Sequence, residues 1–274
     1  MSAPAPTALP PAPSASSPVP GRALLQHLRR FRTCLVRSIA GVAAGTAAVG
    51  FFVAPLVDAL MAPVRAALPP GKQTVVYTSA IEPMMVYIKV AIYGGVFLSA
   101  PWVLHQLWRL VAPALGEGRR RRALSFVVWA TLLFYLGAAF CYWLVLPQAF
   151  PAMLAFASTG ALTPVLSLSK QLSLVLAMLL GFGVVFEVPV VIAFLSMVGL
   201  VSWRFLSRYR RHAIVANVAL AAVITPTGDP LNLALLAVPM ILFYEVGILL
   251  ARLLGRPGPA ALPEQPGKMQ RRIP

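Results

Sequence analysis

Six apolar segments dominate this 274-residue chain, and one of them, from Ala123 to Leu146, contains no charged residue at all. An α-helix needs about 20 residues to cross roughly 30 Å of hydrocarbon, so a run of this length is typical of a membrane span. Hydrophobic residues make up 59% of the sequence and charged residues 11%, which leaves too little polar surface to enclose a water-soluble core. The sequence therefore predicts an all-α integral membrane protein that crosses the membrane several times.

Six transmembrane helices are predicted, and the last two are short. The predicted spans cover approximately residues 39–57, 90–111, 123–146, 172–195, 213–225 and 231–250. The apolar part of the fifth is about 13 residues, or roughly 20 Å of helix, which is less than an ordinary bilayer requires. Two interpretations remain open: segments five and six form a re-entrant hairpin, or they cross a locally thinned bilayer. In both, the two chain ends lie on the same side.

Positive charge predicts which side that is. Short loops rich in Lys and Arg stay in the cytoplasm, whereas acidic residues contribute little to orientation. With these spans, 19 of the 23 Lys and Arg residues fall on one side, and the densest block is Arg119 to Arg122. Arg65, Lys72, Lys89 and Lys170 fall on the other. We therefore expect both termini to be cytoplasmic.

The net charge of +16 would favour a nucleic-acid partner in a soluble protein. Here, membrane orientation and attraction to anionic lipid headgroups explain the same charges, so no nucleic acid is expected. Residues 1–21 are almost wholly Ala, Pro and Ser, which predicts a disordered cytoplasmic tail. Residues 22–256 form the predicted six-span membrane domain, and residues 257–274 a second flexible tail.

The sequence has no Walker-type glycine loop, no His-Glu-x-x-His motif and no cysteine pair at metal-ligand spacing. We therefore expect no enzyme activity, no catalytic residue, no metal site and no cofactor. The informative polar residues are two acids inside apolar runs, Glu187 in GVVFEVPVV and Glu245 in ILFYEVGIL. An acid at membrane depth costs about 2.5 to 3.5 kcal/mol on insertion scales, so it usually faces a cavity or a partner. Pro189 bends the helix beside Glu187, and a purely structural contact with a neighbouring helix is the alternative.

Four separated motifs occur in a defined order: SAPWVLHQLWRLVAPAL, FGVVFEVPVV, ITPTGDP and LLAVPMILFYEVG. In this the chain resembles the TatC family, the core subunit of the twin-arginine (Sec-independent) protein translocase, over roughly residues 22–254. The resemblance implies a multi-pass protein of the bacterial plasma (inner) membrane that recognises twin-arginine signal peptides of folded precursors. It also implies TatA-like and TatB-like single-span partners, self-association into a multimeric receptor complex, and export driven by the proton motive force.

The family binds the signal peptide with two cytoplasmic acids, and this sequence departs from the family at both. Aligned on LLQHLRRFR, the first acid falls on His27, and the arginine that follows in the motif is Arg29. Aligned on APALGEGRRRR, the second acid falls on Arg119. Glu117, two residues earlier, is the candidate replacement, because a loop carboxylate can pair with a guanidinium in two hydrogen bonds.

Other family positions match this sequence and complete the set of candidate residues. They are Pro63 in the first outer loop, Pro101 and Gln106 in span two, Glu187 in span four, Asp229 and Pro239 around the last outer turn, and Glu245 in span six. We hypothesise that Glu187 and residues on the Gln106 side line a polar concavity. This concavity would hold the inserted signal peptide or a polar group of a partner helix.

Two alternatives remain open, and the sequence argues against a third. The chain could be a divergent TatC paralogue with altered signal-peptide recognition. It could be a proton-coupled small-molecule permease with Glu187 and Glu245 as a relay, although such permeases often show an internal repeat and the two halves here are not similar. An intramembrane protease would need a Ser-His pair, paired aspartates or zinc ligands at membrane depth, which the sequence does not place there.

Overall fold

A computed structural model describes residues 20–68, 77, 79–111, 120–157, 167–224 and 230–254, and the side chains within 28–68, 77, 79–110, 125–154, 167–222, 230 and 233–254. Helices build nearly all of this part. They are α1 (Pro20–Gly50), α2 (Val53–Ala67), α3 (Glu82–Val111), α4 (Arg120–Phe140), α5 (Leu146–Ala157), α6 (Leu168–Phe186), α7 (Val188–Val198), α8 (Trp203–Arg208), α9 (Arg210–Ile224) and α10 (Pro230–Leu254). A π-helical turn, Cys141–Val145, joins α4 to α5.

Five stretches of this part are long and apolar enough to cross a membrane: Leu28–Gly50, Glu82–Leu110, Ser125–Leu154, Leu168–Val198 and Leu233–Leu254. The helices run alternately up and down, so that α1 begins, and α3, α7 and α10 end, on one side. We call this the basic side, because most of the arginines lie there, and the other the opposite side. The predicted tails, apart from residues 20 and 21, lie outside the described residues.

The first span differs from the prediction, which placed it at residues 39–57. Helix α1 ends at Gly50, the chain turns where the Phe52 amide donates to the Val49 carbonyl at 2.8 Å, and α2 begins at Val53. The apolar run continues past this turn because α2 packs Val53 and Met61 into the protein core. Burial in protein and burial in lipid favour the same apolar side chains, so hydropathy alone did not locate the end of the span.

Helices α1 and α3 lie antiparallel along a seam of small residues. The Trp102 indole N–H donates to the Arg37 carbonyl at 3.0 Å near one end of the seam. Further along, a Cβ atom built on Gly45 would lie 2.7 Å from the carbonyl oxygen of Gly95. Only glycines allow the two backbones to come this close, as is common where membrane helices pack by van der Waals contact.

The fourth span forms the centre of the bundle and is broken at Glu187. Pro189 cannot donate a backbone hydrogen bond, and its ring excludes the regular position of the Val185 carbonyl. The chain therefore ends α6 at Phe186 and begins α7 at Val188. Large apolar side chains such as Phe182, which is fully buried, fix α6 against its neighbours.

The last two helices cross the protein, so the re-entrant hairpin is not what the structure adopts. At the basic side, the Ser196 hydroxyl of α7 donates to the Ala251 carbonyl of α10 at 3.2 Å. Toward the opposite side, Leu236 of α10 shares the main core cluster with Leu172 of α6. Helix α9 has only 15 residues. The short helix α8 makes up the missing length on the basic side, where the Tyr244 hydroxyl donates to the Leu206 carbonyl at 2.9 Å.

Candidate intramembrane site

Glu187 lies at the junction of α6 and α7, where the regular helix is interrupted. Its Oε1 atom is buried and accepts no hydrogen bond from any residue that the structure describes. Val184 and Val191, one turn before and after it, are 57% and 50% exposed and face away from the bundle. The carboxyl group therefore lies at the border between protein core and membrane-facing surface. A group in this position is available to a helix that docks from the lipid.

Helix α4 forms one wall of this site through very close contact with α6. A Cβ atom built on Gly137 would lie 2.6 Å from the carbonyl oxygen of Phe182, and one built on Gly183 would lie 2.8 Å from the Phe134 ring. The two helices meet through these glycines. This contact fixes the position of the α6–α7 break relative to α4.

Helix α3 closes the site toward the basic side. The Trp108 ring of α3 lies 4.9 Å from the Phe126 ring of α4 and 4.9 Å from the Phe194 ring of α7, measured between centroids. Trp108 is 8% exposed and belongs to a second core cluster with Ala130 and Val190. Three helices therefore surround the region next to Glu187.

Gln106 lies elsewhere. Its backbone carbonyl accepts a hydrogen bond from the Cys34 thiol of α1 at 2.6 Å, and its side chain is 1% exposed. Trp108, two residues later and therefore about 200° around the helix, faces α4 and α7 instead. Gln106 and Glu187 do not hydrogen-bond to each other through the buried Nε2 and Oε1 atoms, so their grouping stays a prediction. The Gln106 Nε2 atom is buried without a partner among the residues described, so it is a second unpaired polar group, on the face of α3 that α1 covers.

Glu245 has a partner. One of its carboxylate oxygens lies 3.0 Å from the Arg210 guanidinium at the start of α9, with the two side chains 42% and 47% exposed. This ion pair and the Tyr244 hydrogen bond hold α8 and α9 against α10. Glu245 thus makes a structural contact with a neighbouring helix, which differs from the situation of Glu187.

Two of the predicted prolines free backbone carbonyls that tyrosines then bind. A proline inside a helix leaves the carbonyl four residues earlier without its amide donor. Pro101 frees the Phe97 carbonyl, which accepts the Tyr135 hydroxyl at 2.8 Å. Pro63 in α2 frees the carbonyl of Ala59, which accepts the hydroxyl of Tyr142 at 2.6 Å. Sequence reasoning missed both tyrosines, although their spacing of seven residues, which places them on one helix face, was a usable pattern.

The structure describes fewer contacts for the remaining candidate residues. Arg29 is exposed on α1, and its carbonyl accepts the Thr33 hydroxyl at 2.9 Å. Pro239 lies within α10. His27 has only its helical backbone described, whereas Glu117, Arg119 and Asp229 lie outside the described residues. The predicted signal-peptide site therefore remains a prediction from the sequence.

Comparison with known proteins identifies the family. The family described as Sec-independent protein translocase protein (TatC) matches residues 26–239. A protein of that name from Azotobacter chroococcum is 36% identical over 246 residues, which cover 89% of this chain and 95% of the relative. The TatC protein of Koribacter versatilis is 34% identical over 230 residues, covering 83% and 84%.

Solved structures agree with these relatives. The crystal structure of a twin-arginine translocase receptor TatC matches with a TM-score of 0.74 and 32% sequence identity, and the match covers 84% of this chain and all of that one. The same receptor in a second crystal structure gives a TM-score of 0.73. The helices, with the fourth span broken between α6 and α7 and the fifth span formed by the short helix α9, therefore form the six-span fold of a multi-pass membrane protein. This chain belongs to the TatC family.

Proposed function

We propose that this chain is the receptor component of a twin-arginine translocation system. It recognises twin-arginine signal peptides and exports folded proteins with the proton motive force. It works with TatA-like and TatB-like single-span proteins in a multimeric complex of the bacterial inner membrane. Both termini are cytoplasmic in this proposal, because the positive-inside rule assigns the side with most of the arginines to the cytoplasm.

The observation that carries the proposal is the buried Oε1 atom of Glu187, which no described residue binds, at a helix break that faces the membrane. A polar group without a partner in hydrocarbon costs several kcal/mol, so a bundle would not keep one for packing alone. A docking helix with a hydrogen-bond donor at the same depth would satisfy it. Glu187 therefore suits the capture of an inserted signal peptide or a partner helix.

Complementation tests this role. A strain that lacks its own TatC would receive this chain together with its TatA-like and TatB-like partners, and export of a folded reporter with a twin-arginine signal would be measured. We expect the wild-type chain to restore export and Glu187→Ala to lose most of it. Val191→Ala is the matched control, because Val191 is exposed one helical turn after Glu187 and carries no polar group. Full export and partner crosslinking by Glu187→Ala would exclude the proposed role.

Signal-peptide recognition requires an acid on the cytoplasmic side, and we propose that Glu117 supplies it. It lies two residues before the position at which this sequence has Arg119, and its carboxylate can bind a guanidinium with two hydrogen bonds. The neighbouring arginines compete for the same carboxylate, which weakens the site compared with a receptor that has two acids. This chain would then bind its signal peptides through one acid rather than two.

Binding of a twin-arginine peptide to membranes that contain the chain tests this second step. We expect Glu117→Ala to abolish binding, whereas Glu264→Ala, which removes an acid from the C-terminal tail, should leave it unchanged. A signal peptide with paired lysines is the control for guanidinium specificity. Unchanged binding by Glu117→Ala would instead assign recognition to an accessory subunit or mark this chain as a divergent paralogue.

A further inference from the structure

Thr131 on α4 has a buried hydroxyl that no residue in the described part of the chain binds. This is unusual for a threonine in a helix, because its hydroxyl can bond to a backbone carbonyl of the preceding turn. Thr131 is not in any of the motifs by which the chain resembles its family. Its hydroxyl is therefore a polar group for which neither the fold nor the sequence comparison provides a reason.

Thr131 lies at the same depth as Glu187. Helices α4 and α6–α7 are antiparallel, and one contact together with one shared core cluster indicates how residues on one match residues on the other. Phe134 lies against Gly183, and Ala130 shares a core cluster with Val190. Along α4, Thr131 lies between Ala130 and Phe134. Along α6–α7, Glu187 lies between Gly183 and Val190. The two side chains are thus at one level of the bundle.

The two side chains also point to the same edge of the contact between these helices. Each residue advances about 100° around a helix. Thr131 is therefore rotated forward from Ala130, which faces α7. Glu187 is likewise rotated forward, by a smaller angle, from Gly183 and from Val190, which face α4. In an antiparallel pair, equal rotations lead to the same side of the contact. Two buried oxygens that no described residue binds, Thr131 Oγ1 and Glu187 Oε1, therefore face one region.

Helix α3 lies along this edge and limits what can enter. The Phe97 ring is 5.2 Å from the Phe134 ring, and the Phe97 carbonyl binds Tyr135 on α4. Trp108 closes the region toward the basic side. The open approach is past Val184, which is 57% exposed. A ligand would reach the two oxygens from the lipid, as a helix in the membrane does.

We propose that Thr131 is a second hydrogen-bonding group of the site at Glu187, and that the two oxygens together bind a hydrogen-bond donor side chain of the docked transmembrane helix. This rests on the proposed function, which assigns Glu187 to helix docking. Two acceptors at one depth select a donor at a defined height along the ligand helix. Thr131 would therefore determine which helix, and which register of that helix, is bound.

Photocrosslinking in cells tests the proposal. A photoreactive amino acid at Val184 would capture the docked helix in cells that express the full chain with its TatA-like and TatB-like partners and a twin-arginine precursor. Thr131→Val keeps the shape of the side chain and removes its hydroxyl, so we expect about three- to ten-fold less crosslinked product, the effect of one hydrogen bond between membrane helices. Thr131→Ser restores the hydroxyl and should restore most of the product.

Ser99→Ala is the matched control, because Ser99 is a buried serine of α3 whose hydroxyl already binds the Val96 carbonyl. It should leave the crosslinked product unchanged. Equal losses in Thr131→Val and Thr131→Ser would indicate packing and would overturn the proposal. So would a normal product in Thr131→Val when Glu187→Ala abolishes it, and in that case the proposed function would stand. A normal product in both variants would reject the proposed function itself.

Discussion

The central span α6–α7 and the first span α1 are held in the protein in opposite ways. Of the 31 residues in Leu168–Val198, 15 are buried in the protein, whereas in Leu28–Gly50 only Gly45 is buried. The central span is surrounded by large side chains from several helices, whereas α1 packs mainly against α3 through glycines. We infer that the central span determines whether the bundle folds. The first span can detach without unfolding the rest.

The largest effect is expected where α4 meets the central span. Gly137→Ala places a methyl group 2.6 Å from the Phe182 carbonyl oxygen, and a backbone atom cannot move aside. We expect a loss of about 2 kcal/mol or more of unfolding free energy. Thermal unfolding in detergent, followed by circular dichroism, would measure it.

Gly183→Ala is the matched control for that variant. Its new methyl group would meet the Phe134 ring at 2.8 Å, and a ring can tilt away. We therefore expect a smaller loss than for Gly137→Ala. If the two variants are equally stable, contact with a backbone atom is not what makes the packing of α4 against α6 sensitive to an added methyl group.

An intermediate effect confined to α1 is expected from Gly95→Ala. The added methyl group would lie 2.6 Å from the Cα atom of Thr46, which forces α1 away from α3. The native cysteines report the result, because Cys34 lies in this seam and Cys141 is fully buried in the main core. Maleimide should label Cys34 several-fold faster than in the wild type and leave the rate at Cys141 unchanged.

Gly50→Ala controls for glycine loss as such, since an added methyl group there meets nothing within 4 Å. Mass spectrometry after timed labelling would quantify both cysteines. If Gly95→Ala exposes both cysteines together, the first span is part of the folding core and the contrast with α6–α7 fails.

A smaller effect is expected from the tyrosine that binds α3. Tyr135→Phe leaves the Phe97 carbonyl without a donor, at a cost of about 1 kcal/mol. Pro101→Ala supplies a backbone amide to the same carbonyl, so Tyr135→Phe should cost less in that background. A double-mutant cycle on unfolding free energies measures the difference. Additive effects would show that the proline and the tyrosine act independently.

The smallest effect is expected from Arg210→Ala. Its ion pair with Glu245 is nearly half exposed on both sides, and exposed pairs contribute at most about 1 kcal/mol. Asp58→Ala, which breaks the 2.9 Å pair of Asp58 and Arg65 on the opposite side, should have a similarly small effect on the unfolding temperature. A large loss for Arg210→Ala alone would show that its pair with Glu245 is shielded from water.

Sequence patterns predicted most helices because long apolar runs in a chain of this composition form helices that cross the membrane or pack beside those that do. The span at 172–195 lies within α6 and α7, and the segment at 231–250 lies within α10. The end of the first span was misplaced because α2 is as apolar as a membrane span. Its side chains face the core, and that depends on contacts with distant helices which a hydropathy pattern does not contain.

The site was predictable only in part, for a similar reason. The cost of an acid in hydrocarbon identified Glu187 and Glu245 as residues that need a polar partner or a cavity. The partner of Glu245 is Arg210, thirty-five residues earlier, and no local pattern indicates that pairing. The expected grouping of Gln106 with Glu187 stays a prediction, because no described residue binds either Gln106 Nε2 or Glu187 Oε1.

Tyr135 and Tyr142 fix the number of residues in the segment of α4 and the π-helical turn that lies between them. Each binds a carbonyl on a different partner, one on α3 and one on α2, and both bonds require the same face of one helix. Inserting or deleting one residue between them would rotate one hydroxyl by about 100° and break one bond. The length of this segment is therefore as strongly constrained as its composition, and sequences of this fold should vary in the identity of these residues more readily than in their number.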